Sequence, residues 1–385
     1  MANELPHDII ENNILTRLPV KSLIRFTSVS QRWRSLILYC PKFAASQFEF
    51  SSKQKSIAHR VLVSCNGYDD LQSLDLGSSS SPTLRLPFKQ QQVHCNLIGS
   101  SNGLVFVALG NKYYVWNPST RFFKTLPDID YCSGRRVFFG AGYSSASGTY
   151  KLLICREDDD EEIYTEVAHI LSLGAPKWRL VNLDVLNEML TGPVFMGTLL
   201  NGALHWLCGY SKYDLVAFDL AKEEFRIMQL LNLDDDGSRF YRGKLGVLGG
   251  CLCVSSYTEY NYACVSVDFW VMKDYDVRES WTKLFNLDMS NLPLQPLLDN
   301  TFRLPWTWYT MECGTVGVKW SGEGRNVLMK IDHDEKEKHG LYLIEGWELD
   351  MVDYEESLIW IEEKENVKKT KITKSSSRSR KKLKS

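Results

Sequence analysis

Apolar runs of membrane-spanning length are missing from this sequence: no stretch approaches the roughly 18 to 20 residues that a transmembrane helix needs. The start, MANELPHDII, lacks a basic segment followed by an apolar one, so no secretory leader is expected. Cysteine is too sparse for a disulfide scaffold, with 10 in 385 residues. Together these absences place the chain in a reducing compartment, nucleus or cytoplasm or both, away from membranes. An excess of positive charge is missing too. The formal net charge is -2, from 45 basic and 47 acidic residues, so the whole chain is not an electrostatic binder of nucleic acid. That average hides an asymmetry, since residues 367–385 carry nine Lys or Arg and no Asp or Glu. The acidic body is left at -11, from 36 basic against 47 acidic residues.

Catalytic signatures are also scarce. The glycine-rich GSSNG at Gly99–Gly103 has no Lys followed by Ser or Thr, so it reads as a turn and not a phosphate loop. Cys251 and Cys253 alternate along a strand and point to opposite faces, which cannot make a two-thiolate metal site. His333 and His339 flank a charged loop with no cysteine pair near it, and Asp234–Gly237 lacks the later Glu of a calcium loop. His205, inside ALHWL, reads as a core histidine. No cofactor, metal or catalytic residue is therefore expected, and the chain reads as a non-catalytic one.

What the sequence does contain falls into an α+β arrangement: a helical start, a long β region and a polar tail. Ile10, Ile14 and Leu18 recur four apart, beside Ile9 and Leu15, and Pro19 ends that helix. Ser22 can cap a second short helix and Ser30 a third, in which Trp33, Leu36 and Ile37 share a face before Pro41 closes the set. Three such helices cannot bury their own apolar faces, so they must lean on a partner or on the rest of the chain. Residues 51–60 read as a linker.

From about residue 60, short runs such as RVLVSC, GLVFVAL, KYYVW, ALHWLCG and DLVAFDL alternate with Gly, Asn, Asp and Ser turns. The segments beginning at Asn102 and Asn201 repeat one order: turn, strand, loop, strand, polar turn, aromatic strand. Further units start near Gly140, Leu245 and Met311. Spacings of about 40 to 55 residues suit four-stranded propeller blades, with the blade count left open. Ten of the eleven Trp lie outside the first fifty residues and are expected in blade cores. The tail, with Lys368, Lys369, Lys371, Arg378, Arg380, Lys381, Lys382 and Lys384, is low in apolar residues; it is expected to be disordered and matches a nuclear-import signal or a solubilising tail.

The helical start, LPHDIIENNILTRLPVKSLIRFTSVSQRWRSLI, resembles an F-box in its plant form. The β region resembles the F-box-associated, kelch-repeat-like region of plant F-box proteins, with GSSNGLVFV, VWNPSTRFFKTLP, GYSSASGTYKLL, LNGALHWL, VMKDYDVRESWTKLF and the late YEESLI in the family's order. The resemblance divides the chain into an F-box at 1–48, a substrate-binding β-propeller-like domain at 60–363 and the basic tail at 367–385. It implies a substrate receptor of an SCF (Skp, cullin, F-box) ubiquitin ligase, docking on a Skp-type adaptor and through it on a cullin-RING ligase. By position, Leu5, Pro6, Ile14, Leu15, Leu18, Pro19, Leu23, Val29 and Trp33 would meet the adaptor. One departure stands out, because the chain carries one residue more than the common plant spacing between Asp8 and Ile14, enough to turn a helix by about 100°. Glu157–Glu162 and Tyr257–Tyr262 are candidates for a rim that binds the protein substrate. A propeller that binds a small ligand or glycan, and a nuclear scaffold acting through the tail, are the rival readings.

Overall fold

Proline both stops and starts helices in the first fifty residues. In the computed structural model, the first helical segment, α1, is α-helical over His7–Ile9, widens to a π turn over Ile10–Ile14 and tightens to a 3-10 turn over Leu15–Arg17. Pro19 caps α2 (Val20–Phe26), so the start lies ahead of Ser22. Ser30 caps α3 (Gln31–Tyr39), accepting from the Trp33 amide at 3.1 Å as its sequence position predicts. Pro41 does not close the set. It occupies the first position of α4 (Pro41–Lys53), where its missing amide hydrogen has no helical partner to lose. The expected linker is accordingly shorter, since Ser51–Lys53 belong to α4 and the first strand begins at His59.

The structure describes residues 6–66, 70–75, 83–87, 95–129, 136–158, 165–186, 195–208, 214–230, 244–260, 263–288, 305–310, 315–322, 325–332, 339–345 and 347–361. Among them the β region forms six sheets. The first holds β1 (His59–Asn66), β2 (Asp70–Leu74) and β3 (Thr83–Arg85), and the second β4 (Cys95–Ser101), β5 (Leu104–Leu109), β6 (Lys112–Trp116) and β7 (Phe123–Thr125). The third holds β8 (Arg136–Ser144), β9 (Thr149–Asp158), β10 (Thr165–Ser172) and β11 (Arg179–Val181), with β12 (Phe195–Met196) added in parallel beside β8. The fourth comprises β13 (Thr198–Leu200), β14 (Ala203–Cys208), β15 (Asp214–Asp219) and β16 (Glu224–Met228). The fifth comprises β17 (Lys244–Leu248), β18 (Cys251–Tyr260), β19 (Ala263–Met272) and β20 (Trp281–Asp288). The sixth comprises β21 (Pro305–Thr310), β22 (Thr315–Gly322), β23 (Arg325–Asp332) and β24 (His339–Glu345). The last strand, β25 (Trp347–Glu355), returns to the first sheet and pairs with β1 from His59 opposite Glu355 to Cys65 opposite Leu349.

Each sheet is a blade of a propeller. The leading strands β4, β8, β13, β17 and β21 lie against one another in turn, and β25 lies against β4, so the chain's end closes the ring beside its beginning. Strands near the centre are covered on both faces, which is why β5 (LVFVAL) and β14 (ALHWLC) are buried at every residue. Outer strands such as β7 (Phe123–Thr125) and β11 (Arg179–Val181) are open to solvent on one side. Trp116, Trp178, Trp206 and Trp281 are buried as expected of blade core, Trp270 and Trp360 are half-buried, and the side chains of Trp306, Trp308, Trp320 and Trp347 lie outside what the structure describes. The two repeated segments coincide in detail: Asn102–Gly103 and Asn201–Gly202 each make a two-residue turn with both residues at positive φ, joining the first and second strands of blades two and four.

Strand direction assigns the connections to two faces. The chain enters β1 from α4 and leaves β25 at one face, which also holds the β4–β5, β6–β7 and β8–β9 turns. The β5–β6, β9–β10 and β18–β19 connections emerge at the other. β9 and β18 are ten residues long, so their far ends stand about 30 Å from the helical side.

Candidate adaptor interface and substrate face

The helical segment has its own small core. Leu15, Val20, Leu23, Ile37, Phe43 and Ala44 are buried in one cluster, with Leu18, Phe26, Trp33 and Leu36 packed at its edge. Two predicted adaptor-binding residues therefore change role: Leu15 is 1% exposed and Leu23 0%, so they hold the helices together and have no side-chain surface to offer. The distinction was not legible from order alone, because a stripe of leucines four apart serves a core and an interface equally well. Pro6, Ile14, Pro19 and Val29 are exposed, while Leu18 and Trp33 are half-buried, Trp33 against the Phe26 ring at 5.6 Å. Leu5 lies outside the described residues.

The added residue in the first helix has a specific outcome. The Leu15 amide donates to the Ile10 carbonyl, five residues back, so the extra residue is accommodated in one wide turn, which a 3-10 turn follows at once. Ile14 consequently faces solvent while Leu15 enters the core. An ion pair at 2.6 Å between Glu11 in that turn and Arg32 on α3 holds the two elements together. From α4, the Gln47 side-chain amide donates to the Leu18 carbonyl at 3.2 Å, fixing the bend ahead of Pro19.

Sequence reasoning missed Tyr39, which is 64% exposed, and placed Ile9 beside the apolar stripe, where it is 41% exposed. Their signal was a helical period that continued outside the core stripe. It also missed α4, whose Phe43 and Ala44 complete the core.

The described parts of the two predicted rim segments end strands of different blades, three and five, at the same face of the propeller. Glu157 and Asp158 end β9, and Tyr257–Tyr260 end β18; residues 159–162 and 261–262 lie outside the described residues, as do Asp234–Gly237, His333 and the tail.

Two buried polar side chains of the propeller, His205 and Lys151, are held by partners rather than poised for chemistry. His205 is fully buried, with Nδ1 3.1 Å from the Thr198 carbonyl and Nε2 2.7 Å from the Tyr275 hydroxyl, and burial pushes it down to about 4. Lys151 is buried too, paired with Glu223 at 2.8 Å, and Arg179 meets the same carboxylate at 2.6 Å. Burial pushes the thiols of Cys95, Cys208 and Cys253 up to about 12, far from thiolate chemistry. Among the described residues no cluster of His, Cys, Asp or Glu could hold a metal ion, and no helix is long and apolar enough to cross a membrane.

The molecule thus has two parts, a short helical cluster that exposes Ile9, Ile14, Val29 and Tyr39, and a β-propeller. Comparison with known proteins specifies it: residues 3–44 match the F-box domain and residues 38–321 match the F-box associated beta propeller domain. The chain is 31% identical over 312 residues to F-box protein CPR1 of Arabidopsis thaliana, covering 74% of this chain and 73% of that one. A second Arabidopsis thaliana F-box protein is 28% identical over 349 residues, 81% of this chain and 79% of the relative. An F-box/kelch-repeat protein of the same plant is 27% identical over 301 residues, 74% and 80% of the two chains. The chain belongs to the plant F-box proteins that carry an F-box-associated propeller domain.

Proposed function

We propose that this chain is the non-catalytic substrate receptor of an SCF ubiquitin ligase, docking on a Skp-type adaptor through the F-box and holding a target protein on the propeller. The observation that carries the reading is the separation of surfaces. Exposed Pro6, Ile14, Pro19 and Val29, with the edges of Leu18 and Trp33, lie on the helices, whereas the candidate rim ends of β9 and β18 lie at the opposite face. Such a receptor makes no bonds. It raises the concentration of a target lysine near a conjugating enzyme held at the other end of the assembly, and two faces about 30 Å apart leave room for both partners. The basic tail is offered as a nuclear-import signal, testable by where a tail-deleted chain accumulates.

Co-expression with a Skp-type adaptor tests the docking. Wild type should copurify, whereas an Ile14→Glu, Val29→Glu chain should fold normally and lose at least tenfold in affinity, because both side chains are exposed and outside the core. A folded wild type that ignores the adaptor would refute the reading.

A further inference from the structure

The F-box core contains one residue from the far end of the chain. Leu358, 0% exposed, sits in the same cluster as Leu15, Val20, Leu23, Ile37, Phe43 and Ala44, more than three hundred residues away in sequence. It belongs to a segment that follows β25 and touches both parts of the molecule. Glu356 pairs with Arg60, and its amide donates to the Ala58 carbonyl at 2.8 Å, where the chain passes from α4 into β1. The Ser357 hydroxyl donates to the Asn102 carbonyl at 2.8 Å. Beyond Leu358, Ile359 and Ile361 pack on the core of blades two and three, and Trp360 meets the Phe122 ring at 6.2 Å.

Blade two is shaped for this segment where blade four is not. In both blades the turn between third and fourth strands is built on one side chain: Asn117 accepts from the Ser119 amide at 2.8 Å, and Asp219 accepts from the Ala221 amide at 2.8 Å. Asn117 has donors as well, and gives them to the Ser357 carbonyl at 3.1 Å and the Ile359 carbonyl at 2.8 Å. A carboxylate such as Asp219 has none to give. The turn between first and second strands differs likewise: a Cβ on Gly103 would lie 2.2 Å from the Ser357 hydroxyl and 2.6 Å from the Glu355 carbonyl, whereas one on Gly202 would meet nothing within 4 Å.

We propose that residues 356–361 are a clasp that completes the F-box core from the propeller side, with Leu358 as a positioning residue for the adaptor surface, gripped by Asn117. The F-box is made first, yet its core is filled only when β25 has paired with β1 and closed the ring. A receptor with an unfinished propeller would then present a loosened adaptor surface, and a finished one holds its F-box at a set orientation. The functional half of this inference rests on the receptor reading; the structural half does not.

Hydrogen exchange on the full chain, with and without a Skp-type adaptor, separates them. In Asn117→Asp, which keeps the turn but puts a carboxylate against two carbonyls, amides of α2 to α4 should exchange at least tenfold faster while those of β14 and β15 keep their wild-type rates. Leu358→Asp should do the same and lower adaptor affinity at least tenfold, and Leu358→Met should stay within about threefold of wild type. Unchanged exchange in α2 to α4 of Asn117→Asp would overturn the clasp, and that variant decides the matter even where Leu358→Asp fails to fold. If exchange responds but the wild type binds no adaptor, the clasp stands and the receptor reading falls.

Discussion

Blades two and four are built on one plan and put to different uses. Both open on an Asn-Gly turn and both close their outer strand with a side-chain-capped turn ending in a residue at positive φ, Arg121 in one and Glu223 in the other. Three contrasts between them bear on contacts outside the blade: Asn117 stands where blade four has Asp219, Gly103 is crowded where Gly202 is open, and Phe106 stands where blade four has His205. Two of these differences face the clasp; the third faces Tyr275 in the next blade. Within a repeated unit, whatever the repeat does not need marks a contact made outside it.

The largest effect expected from breaking this comparison is at the glycines. Both have a positive φ, so Gly103→Ala and Gly202→Ala share a strain of roughly 1 kcal/mol. Gly103→Ala must also push a backbone carbonyl and the clasp aside, adding roughly 1 to 3 kcal/mol. Denaturant unfolding should rank Gly103→Ala well below Gly202→Ala; equal losses would mean the clasp yields at no cost.

The reciprocal exchange is next. Asn117→Asp leaves buried carbonyls without donors and should cost about 2 kcal/mol, while Asp219→Asn keeps its acceptor and should cost under about 1 kcal/mol. Thermal melts of the two single variants, compared at equal pH, check the asymmetry.

Acid sensitivity is expected from the buried histidines, His205 of blade four first. His205 is held at about 4 against an ordinary value of 6.5, so between those values the unfolded chain binds the proton more readily than the native one. Stability is full above pH 6.5 and falls towards pH 4, by up to roughly 3 kcal/mol from this group. Burial lowers His169 in blade three as well, so His205→Phe, which copies blade two, should flatten the pH dependence of melting in part and not abolish it. A profile that keeps its full slope in that variant would assign the sensitivity elsewhere.

The smallest effect on folding is expected on the outer surface of the F-box. Val29→Glu should change stability by under about 0.5 kcal/mol, in contrast to Leu23→Ala in the core, which should cost about 2 to 5 kcal/mol. Chemical denaturation of the two variants checks that contrast and separates exposed positions from core positions within one motif.

Much of this was legible in the sequence because it is local. The Ser30 cap, the Asn-Gly turns, the repeat at Asn102 and Asn201 and the burial of tryptophan all follow from residues within a few positions of one another. The division of the F-box leucines into core and surface was not, because it depends on how three helices cross. The wide turn at Ile10–Ile14 was legible only as a spacing anomaly, and α4 was lost by reading Pro41 as an end. YEESLI was visible as a family motif with no stated purpose, since Asn117 and Leu23, which it meets or packs beside, lie hundreds of residues earlier.

A double-mutant cycle between Asn117→Asp and Leu358→Ala, read by unfolding of the full chain, tests the clasp most directly. If both act through one segment, the second substitution should cost roughly 1 kcal/mol less in the presence of the first, because the clasp is already released. Additive losses, equal to the sum of the singles within about 0.3 kcal/mol, would show that Asn117 and Leu358 act independently and would contradict the account.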